Sequence, residues 1–359
     1  MLQRRHVRLG RIGIILIITG LLLSGCTTSP GYLWKQGGYL LRYSFGAKSI
    51  ASLLKKPGIS ASTREFLQRV ESIKQYAVHD IGLRANGNFT TYKQLDRSYL
   101  VNVVQASDAT SFTPYEWSYP FLGKLPYKGY YDPKDAHAEA ERLKKLGYDV
   151  IVRRVDAFST LGFLKDPVYS FMSKYSTFEL ASLIIHEQTH ATVFLKGQDQ
   201  FNEEFATFVG DTGAMDYLAA TFGKGSPEYT AGIDEQADSQ LFLQYIGRLT
   251  DALRKLYESG APRSQILAEK AKIIAEYQLI YTKDYLPRLK TPGYRAKGPL
   301  PINNAYLSLF SLYTADIPLL QRYYSQVCGA SLRDFVVQIK RLSKERGRMV
   351  DKLEAALKR

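Results

Sequence analysis

Residues 176–192 read Ser176-Thr177-Phe178-Glu179-Leu180-Ala181-Ser182-Leu183-Ile184-Ile185-His186-Glu187-Gln188-Thr189-His190-Ala191-Thr192. Ser176 with Glu179 three residues on is a capping box, and Leu180, Leu183 and Ile184 supply an apolar face, so a helix is predicted to start near Thr177. On that helix His186 and His190 stand at i and i+4, about 6 Å apart on one face, and can share one zinc ion. Glu187 then sits beside the metal, where a carboxylate can take a proton from an activated water and pass it to a leaving amine. Two histidines bonded to carbonyls would be the purely structural alternative.

Working outward, a catalytic zinc takes three protein ligands and leaves one position open. The next acidic stretch is Asn202-Glu203-Glu204-Phe205-Ala206, past a turn at 196–199. Glu203 is the expected third ligand on a helix antiparallel to the first, with Glu204 and Asp211 as rivals. Residues 197–202 are expected to run extended, at about 3.3 Å each, which reaches back past the preceding helix. Thr207 and Asp211 follow on the second helix, and either can orient a ligand histidine through its other ring nitrogen.

The rest of the 359-residue chain sets limits on what this site serves. With 45% hydrophobic and 23% charged residues it can bury a core, which excludes disorder and a polytopic membrane protein. Two cysteines, Cys26 and Cys328, exclude a disulfide scaffold and an all-thiolate zinc site. The net charge of +14 includes Arg4, Arg5, Arg8 and Arg11 at the extreme amino end, and no basic run is interleaved with aromatics. The chain is therefore read as facing an anionic membrane or acidic partner, not nucleic acid. Met1–Arg11 is basic and Ile12–Leu23 almost wholly apolar, but those 12 residues fall short of the about 20 that span a bilayer.

Ahead of Cys26, the stretch Leu23-Ser24-Gly25-Cys26 resembles the lipobox of bacterial lipoprotein signal peptides. The resemblance implies removal of residues 1–25 and lipidation of Cys26. It also implies a lipid-anchored protein of the bacterial cell envelope; Thr27, in place of Asp, implies an outer-membrane anchor facing the periplasm. Residues 26–31 form the tether and 32–359 one lobed domain, since no Pro/Gly/Ser-rich linker divides it. Cys328 is then a small buried apolar residue.

The expected elements are helices over 32–56 and 62–78, a small sheet within 88–154 enclosing a helix at 135–146, and near-continuous helix from Ser176 onward. The fold class is α+β, mainly helical, with a small mixed sheet beside the histidine-bearing helix.

His-Glu-x-x-His followed by Asn-Glu-x-Phe-Ala is similar to the gluzincin metallopeptidases, and this resemblance implies a zincin-like fold. It assigns zinc binding to His186, His190 and Glu203, and the general base to Glu187. Further blocks, Gly31-Tyr32-Leu33-Trp34-Lys35-Gln36, Pro126-Tyr127-Lys128-Gly129-Tyr130-Tyr131, the segment 157–163 and Asn303-Asn304-Ala305-Tyr306, resemble a bacterial lipoprotein family of predicted aminopeptidases. What the resemblance implies is hydrolysis of peptides or protein N-termini. Segment 157–164, with Ser159, Thr160 and Gly162, lies where gluzincins place a substrate-aligning edge strand, and an ordinary turn is the alternative. Glu204 is a candidate partner for a substrate ammonium, and Tyr306 a candidate donor to the oxyanion. Against all of this stands a reading from another class, a non-catalytic envelope lipoprotein with a structural zinc or partner-binding site.

Overall fold

The computed structural model describes residues 29–44, 46–119, 123–155, 166–295, 300–310 and 317–358. The expected signal peptide, Cys26, and the candidate substrate residues Ser159, Thr160 and Gly162 lie outside the described residues. The class is α+β and mainly helical.

The helix expected over 32–56 is two helices, Pro30–Ser44 and Ile50–Leu54. Gly46 breaks it: φ is +79° there, a conformation that favours glycine. Ser49 then caps the second helix by accepting from the Ser52 amide. Helix Ala61–His79 starts behind Ser60, whose hydroxyl accepts from the Thr63 amide.

Where a single small sheet is expected between 88 and 154, the described residues form three. Strands β1 (Lys48–Ser49), β2 (Thr91–Lys93), β3 (Val101–Asp108), β4 (Trp117–Tyr119), β5 (Gly123–Leu125), β6 (Lys128–Tyr130), β7 (Tyr148–Val155) and β8 (Val168–Tyr169) assemble as β1-β2-β8, β6-β3-β7 and β4-β5. The first is mixed, since β2 pairs antiparallel to β1 and parallel to β8. The central pair is antiparallel and long, from Val101↔Val155 to Asp108↔Tyr148. Strand β3 serves two cores because its side chains alternate: Val101 and Val103 enter the main core, while Val104 and Ala106 pack with Trp117, Ala136, Ala140 and Leu143 under helix Pro133–Lys145.

From β8 the chain passes through a single 3-10 turn into helix Thr177–Thr192, and then, after residues 193–198, into helix Asp199–Phe222. These two antiparallel helices, the histidine helix and the glutamate helix, form the most extensive pairing of elements among the described residues. Helix Ala61–His79 and the carboxy-terminal helices Ile317–Gln326, Leu332–Leu342 and Met349–Leu357 close the main core around them. A second core, built on helix Pro227–Tyr257, holds Phe242, Tyr245, Leu249, Tyr281 and Tyr285. Cys328 is a free, buried thiol, as expected.

Candidate metal centre

The capping box forms as the sequence requires: Ser176 Oγ accepts from the Glu179 amide at 3.0 Å, and Glu179 Oε2 accepts from the Ser176 amide at 2.9 Å. Leu180, Ala181, Ile184 and Ile185 bury one face of the helix. His186 and His190 lie on the adjacent stripe, partly buried, with their Nε2 atoms 3.0 Å apart.

The return to the second helix is shorter than expected, because residues 199–202 are already helical and not extended. What makes the tight turn possible is Gly197, at φ +75°, together with Asn202. The Asn202 side chain accepts from the Leu195 amide at 2.9 Å and donates to the Leu195 carbonyl at 2.8 Å, so it clamps the turn from within the new helix. The asparagine of the Asn-Glu pair thus sets the direction in which Glu203 leaves the turn.

Glu203 meets both histidines, with carboxylate oxygens 3.7 Å from His186 Nε2 and 3.5 Å from His190 Nε2. Ligand bonds of about 2.0–2.2 Å around a tetrahedral zinc would set donor atoms about 3.3–3.5 Å apart; the two distances run to different oxygens of the carboxylate, and one ligand atom from each of the three groups lies within 4.8 Å of the others, close enough to converge on one ion. Among the described residues this is the one group of three or more His, Cys, Asp or Glu residues close enough to hold a metal. Burial pushes the histidines down to about 3 for His186 and about 4 for His190, so both are neutral at pH 7. Their contacts with Glu203 are therefore not ion pairs, and their lone pairs are available to a cation.

Glu187 lies beside this group and shares no donor atom with it. Burial first, then the charges of Asp166 and Glu203, push its carboxyl up to about 7. Glu203 is raised by its own burial and by Asp199.

Of the residues expected to support the site, Thr207 has its hydroxyl 3.5 Å from His186 Nδ1. Asp211 does not reach a histidine: its carboxylate accepts from Ser182 Oγ at 2.6 Å, one turn before His186. Glu204, rival ligand and candidate ammonium partner, is fully buried and accepts from Gln200 Nε2, so it is turned away from any solvent-borne substrate. Tyr306, the candidate oxyanion donor, is partly buried. Its ring packs 5.4 Å from Phe310 in the second core, and burial pushes its phenol up to about 12. The asparagines before it are structural: Asn304 is fully buried, donating to the Asp108 and Ser111 carbonyls and accepting from Tyr257 Oη.

One residue that no sequence motif singles out stands in the field of the site. The phenol of Tyr127 is raised by burial first and then by the charge of Glu203, with Arg153 opposing and Asp199 adding. Its only sequence signal is a place in the Pro126–Tyr131 block. A second such residue is Gly210, where a Cβ would lie 2.9 Å from the Ser182 carbonyl and 3.2 Å from His186 Cβ.

Compared with known proteins, residues 31–352 match a family model described as "Putative aminopeptidase". No curated protein and no solved structure matches the chain.

Proposed function

The chain belongs to this putative aminopeptidase family, and we propose that it is a zinc-dependent, lipid-anchored metallopeptidase of the bacterial cell envelope, with a zincin-like site and a single catalytic body from residue 32. The observation that carries the reading is the convergence of His186, His190 and Glu203 from two antiparallel helices, with Glu187 alongside.

Zinc held by these three groups would act as a Lewis acid and bring the pKa of a water to about 7. The protein's own part is proton handling and orientation. Glu187, buried next to His186, accepts a proton from the attacking water on a carboxylate oxygen and returns it to the nitrogen of the leaving amine. Thr207 fixes the ring of His186 by accepting from Nδ1–H, which leaves Nε2 as the donor to the metal. Tyr127, in the field of Glu203, joins Tyr306 as a candidate phenol for the developing oxyanion. Among the described residues, Asp166 and Asp199 add negative charge that Glu187 and Glu203 feel, which favours a cationic substrate terminus.

The test is elemental analysis beside hydrolysis of a peptide library. Wild type is expected to hold one zinc per chain and to release amino-terminal residues. His190→Ala is expected to lose the metal and all hydrolysis. Tyr127→Phe is expected to keep the metal and lose about 100- to 1000-fold in kcat, the range for a single oxyanion donor. Wild-type protein without zinc sinks the reading, and one zinc with no cleavage favours the non-catalytic alternative.

A further inference from the structure

The first helix, Pro30–Ser44, begins four residues after Cys26 and is fastened to the body by one face. Tyr32 Oη donates to the Gly129 carbonyl at 2.7 Å, and its ring lies 5.3 Å from that of Tyr130. Gln36 accepts from the Tyr131 amide at 3.0 Å, and Tyr39 stacks on Tyr131 at 5.6 Å. Lys35 pairs with Asp135 at 2.7 Å. This segment is therefore a docked element and not a loose leader.

The other face is open to solvent. Gly31, Trp34, Lys35, Gly38 and Arg42 are all exposed and recur at the spacing of one helical stripe. Trp34 is 87% exposed, the highest figure among the exposed large apolar residues described. The other tryptophan, Trp117, is fully buried and donates its indole N–H to Glu139. A solvent-facing indole on a helix that starts four residues after the expected lipidation site is the pattern of an interfacial anchor, since indole favours the boundary between headgroups and acyl chains.

At the far end of the same helix lies a cavity of about 620 Å³. Its walls include Arg42, Lys93 and Arg97 against one carboxylate, Asp96, so its charge suits a phosphate-bearing group. Fifteen residues of helix extend about 22 Å. The four residues from Cys26 reach about 14 Å at most. Both the indole and the cavity therefore fall within reach of one bilayer surface.

We propose that the outward face of helix Pro30–Ser44 is a second, non-covalent membrane contact. In it Trp34 sits at headgroup level and the Arg42–Lys93–Arg97 cavity takes the phosphate of an anionic phospholipid. The inference rests on the envelope-anchor part of the function above and not on the peptidase part. Its consequence is orientation: the helix is bonded to the segment that follows Tyr127, so docking would hold the metal centre at a fixed height and angle above the lipid. A catalytic body on a free tether would have neither.

The experiment places the mature lipoprotein in nanodiscs containing brominated phosphatidylcholine, with and without phosphatidylglycerol. Emission of wild type minus that of Trp34→Phe isolates Trp34, because Trp117 is buried. Trp34 is expected to be blue-shifted and quenched in the anionic discs, and less so in neutral discs or at high salt. Arg42→Gln and Lys93→Gln are each expected to lower the ratio of docked to undocked protein about fivefold. An unquenched Trp34 at its water-exposed maximum overturns the proposal, as does quenching indifferent to phosphatidylglycerol and to both substitutions. Self-association in solution that Trp34→Phe abolishes would assign the face to a second copy, and also overturns it. Intact mass reports acylation on the same samples; if Cys26 is unmodified, flotation with the same lipids as vesicles decides between the same outcomes. Zinc content and hydrolysis, read in parallel, bear on the catalytic reading alone.

Discussion

Glu187→Gln is expected to retain its metal and to lose about 10²- to 10⁴-fold in hydrolysis, the contribution typical of one general base. The substitution removes only the proton-accepting oxygen and keeps the shape of the side chain. None of the three converging donor atoms belongs to Glu187, so zinc content should match wild type. The fold should also survive. Burial already opposes the charged form of this carboxyl, which is why it is pushed up to about 7, and a neutral amide at the same place carries no such desolvation penalty. Thermal melting with elemental analysis separates the cases. A stable, zinc-loaded, inactive variant supports the assignment. Wild-type hydrolysis by Glu187→Gln would remove Glu187 from the mechanism, and loss of zinc would mean that it shapes the metal centre.

Gly210→Ala is expected to weaken metal binding about 10- to 100-fold, although residue 210 touches no metal ligand atom. The histidine and glutamate helices approach closely at this point. An added methyl would meet the Ser182 carbonyl at 2.9 Å, His186 Cβ at 3.2 Å and the His186 amide nitrogen at 3.4 Å. Backbone atoms in the middle of a buried helix cannot swing aside as a side-chain tip can, so the helices must part. His186 and His190 ride on one helix and Glu203 on the other, and separation therefore opens the donor triangle. Overpacking of this kind costs about 1–3 kcal/mol in stability, a drop visible in Tm. Gly213→Ala is the control. Its methyl would press on Ile81 Cδ1 at 2.7 Å and on the Ile185 side chain at 3.1 Å, flexible ends that can rotate. It should lower stability with a much smaller loss of metal affinity. Equal losses of metal from the two variants would show general unfolding, not displacement of His186.

Several features are legible in the sequence because their causes are local. The start of the histidine helix follows from Ser176 and Glu179, which satisfy one another's backbone within a single turn. The pairing of His186 with His190 follows from helical spacing alone. The break between the two site helices follows from Gly197, although its length does not, since Asn202 draws helix back to Asp199 through its two bonds to Leu195. Apolar spacing predicts one long first helix where two occur, because it carries no sign of the left-handed turn at Gly46.

The choice of Glu203 over Glu204 and Asp211 is legible through the resemblance carried by Asn202-Glu203, but not from helical spacing. Adjacent residues on a helix point about 100° apart, and which of them meets the histidines depends on how the second helix is rotated against the first. That rotation is set by Gly210, where the backbones of the two helices come closest, and by the buried apolar residues Phe201, Phe205 and Val209. With the helix so turned, Glu203 faces His186 and His190, Glu204 is sealed in the interior, and Asp211 reaches only Ser182. The tyrosines follow the same rule. Tyr306 and Tyr127 are equally plausible as sequence, and only the packing of distant segments puts one in the second core and the other in the field of Glu203.

By itself, then, the sequence determined the helix that carries the two histidines, the acid beside them and a small set of third ligands, because capping and helical period act over a few residues. Resemblance pointed to Glu203 among them, and the tertiary structure brought its carboxylate to both histidines and placed the Tyr127 phenol in its field. The tertiary structure alone turned Trp34 outward, because each of these placements depends on contacts between segments tens to hundreds of residues apart, which no local pattern encodes.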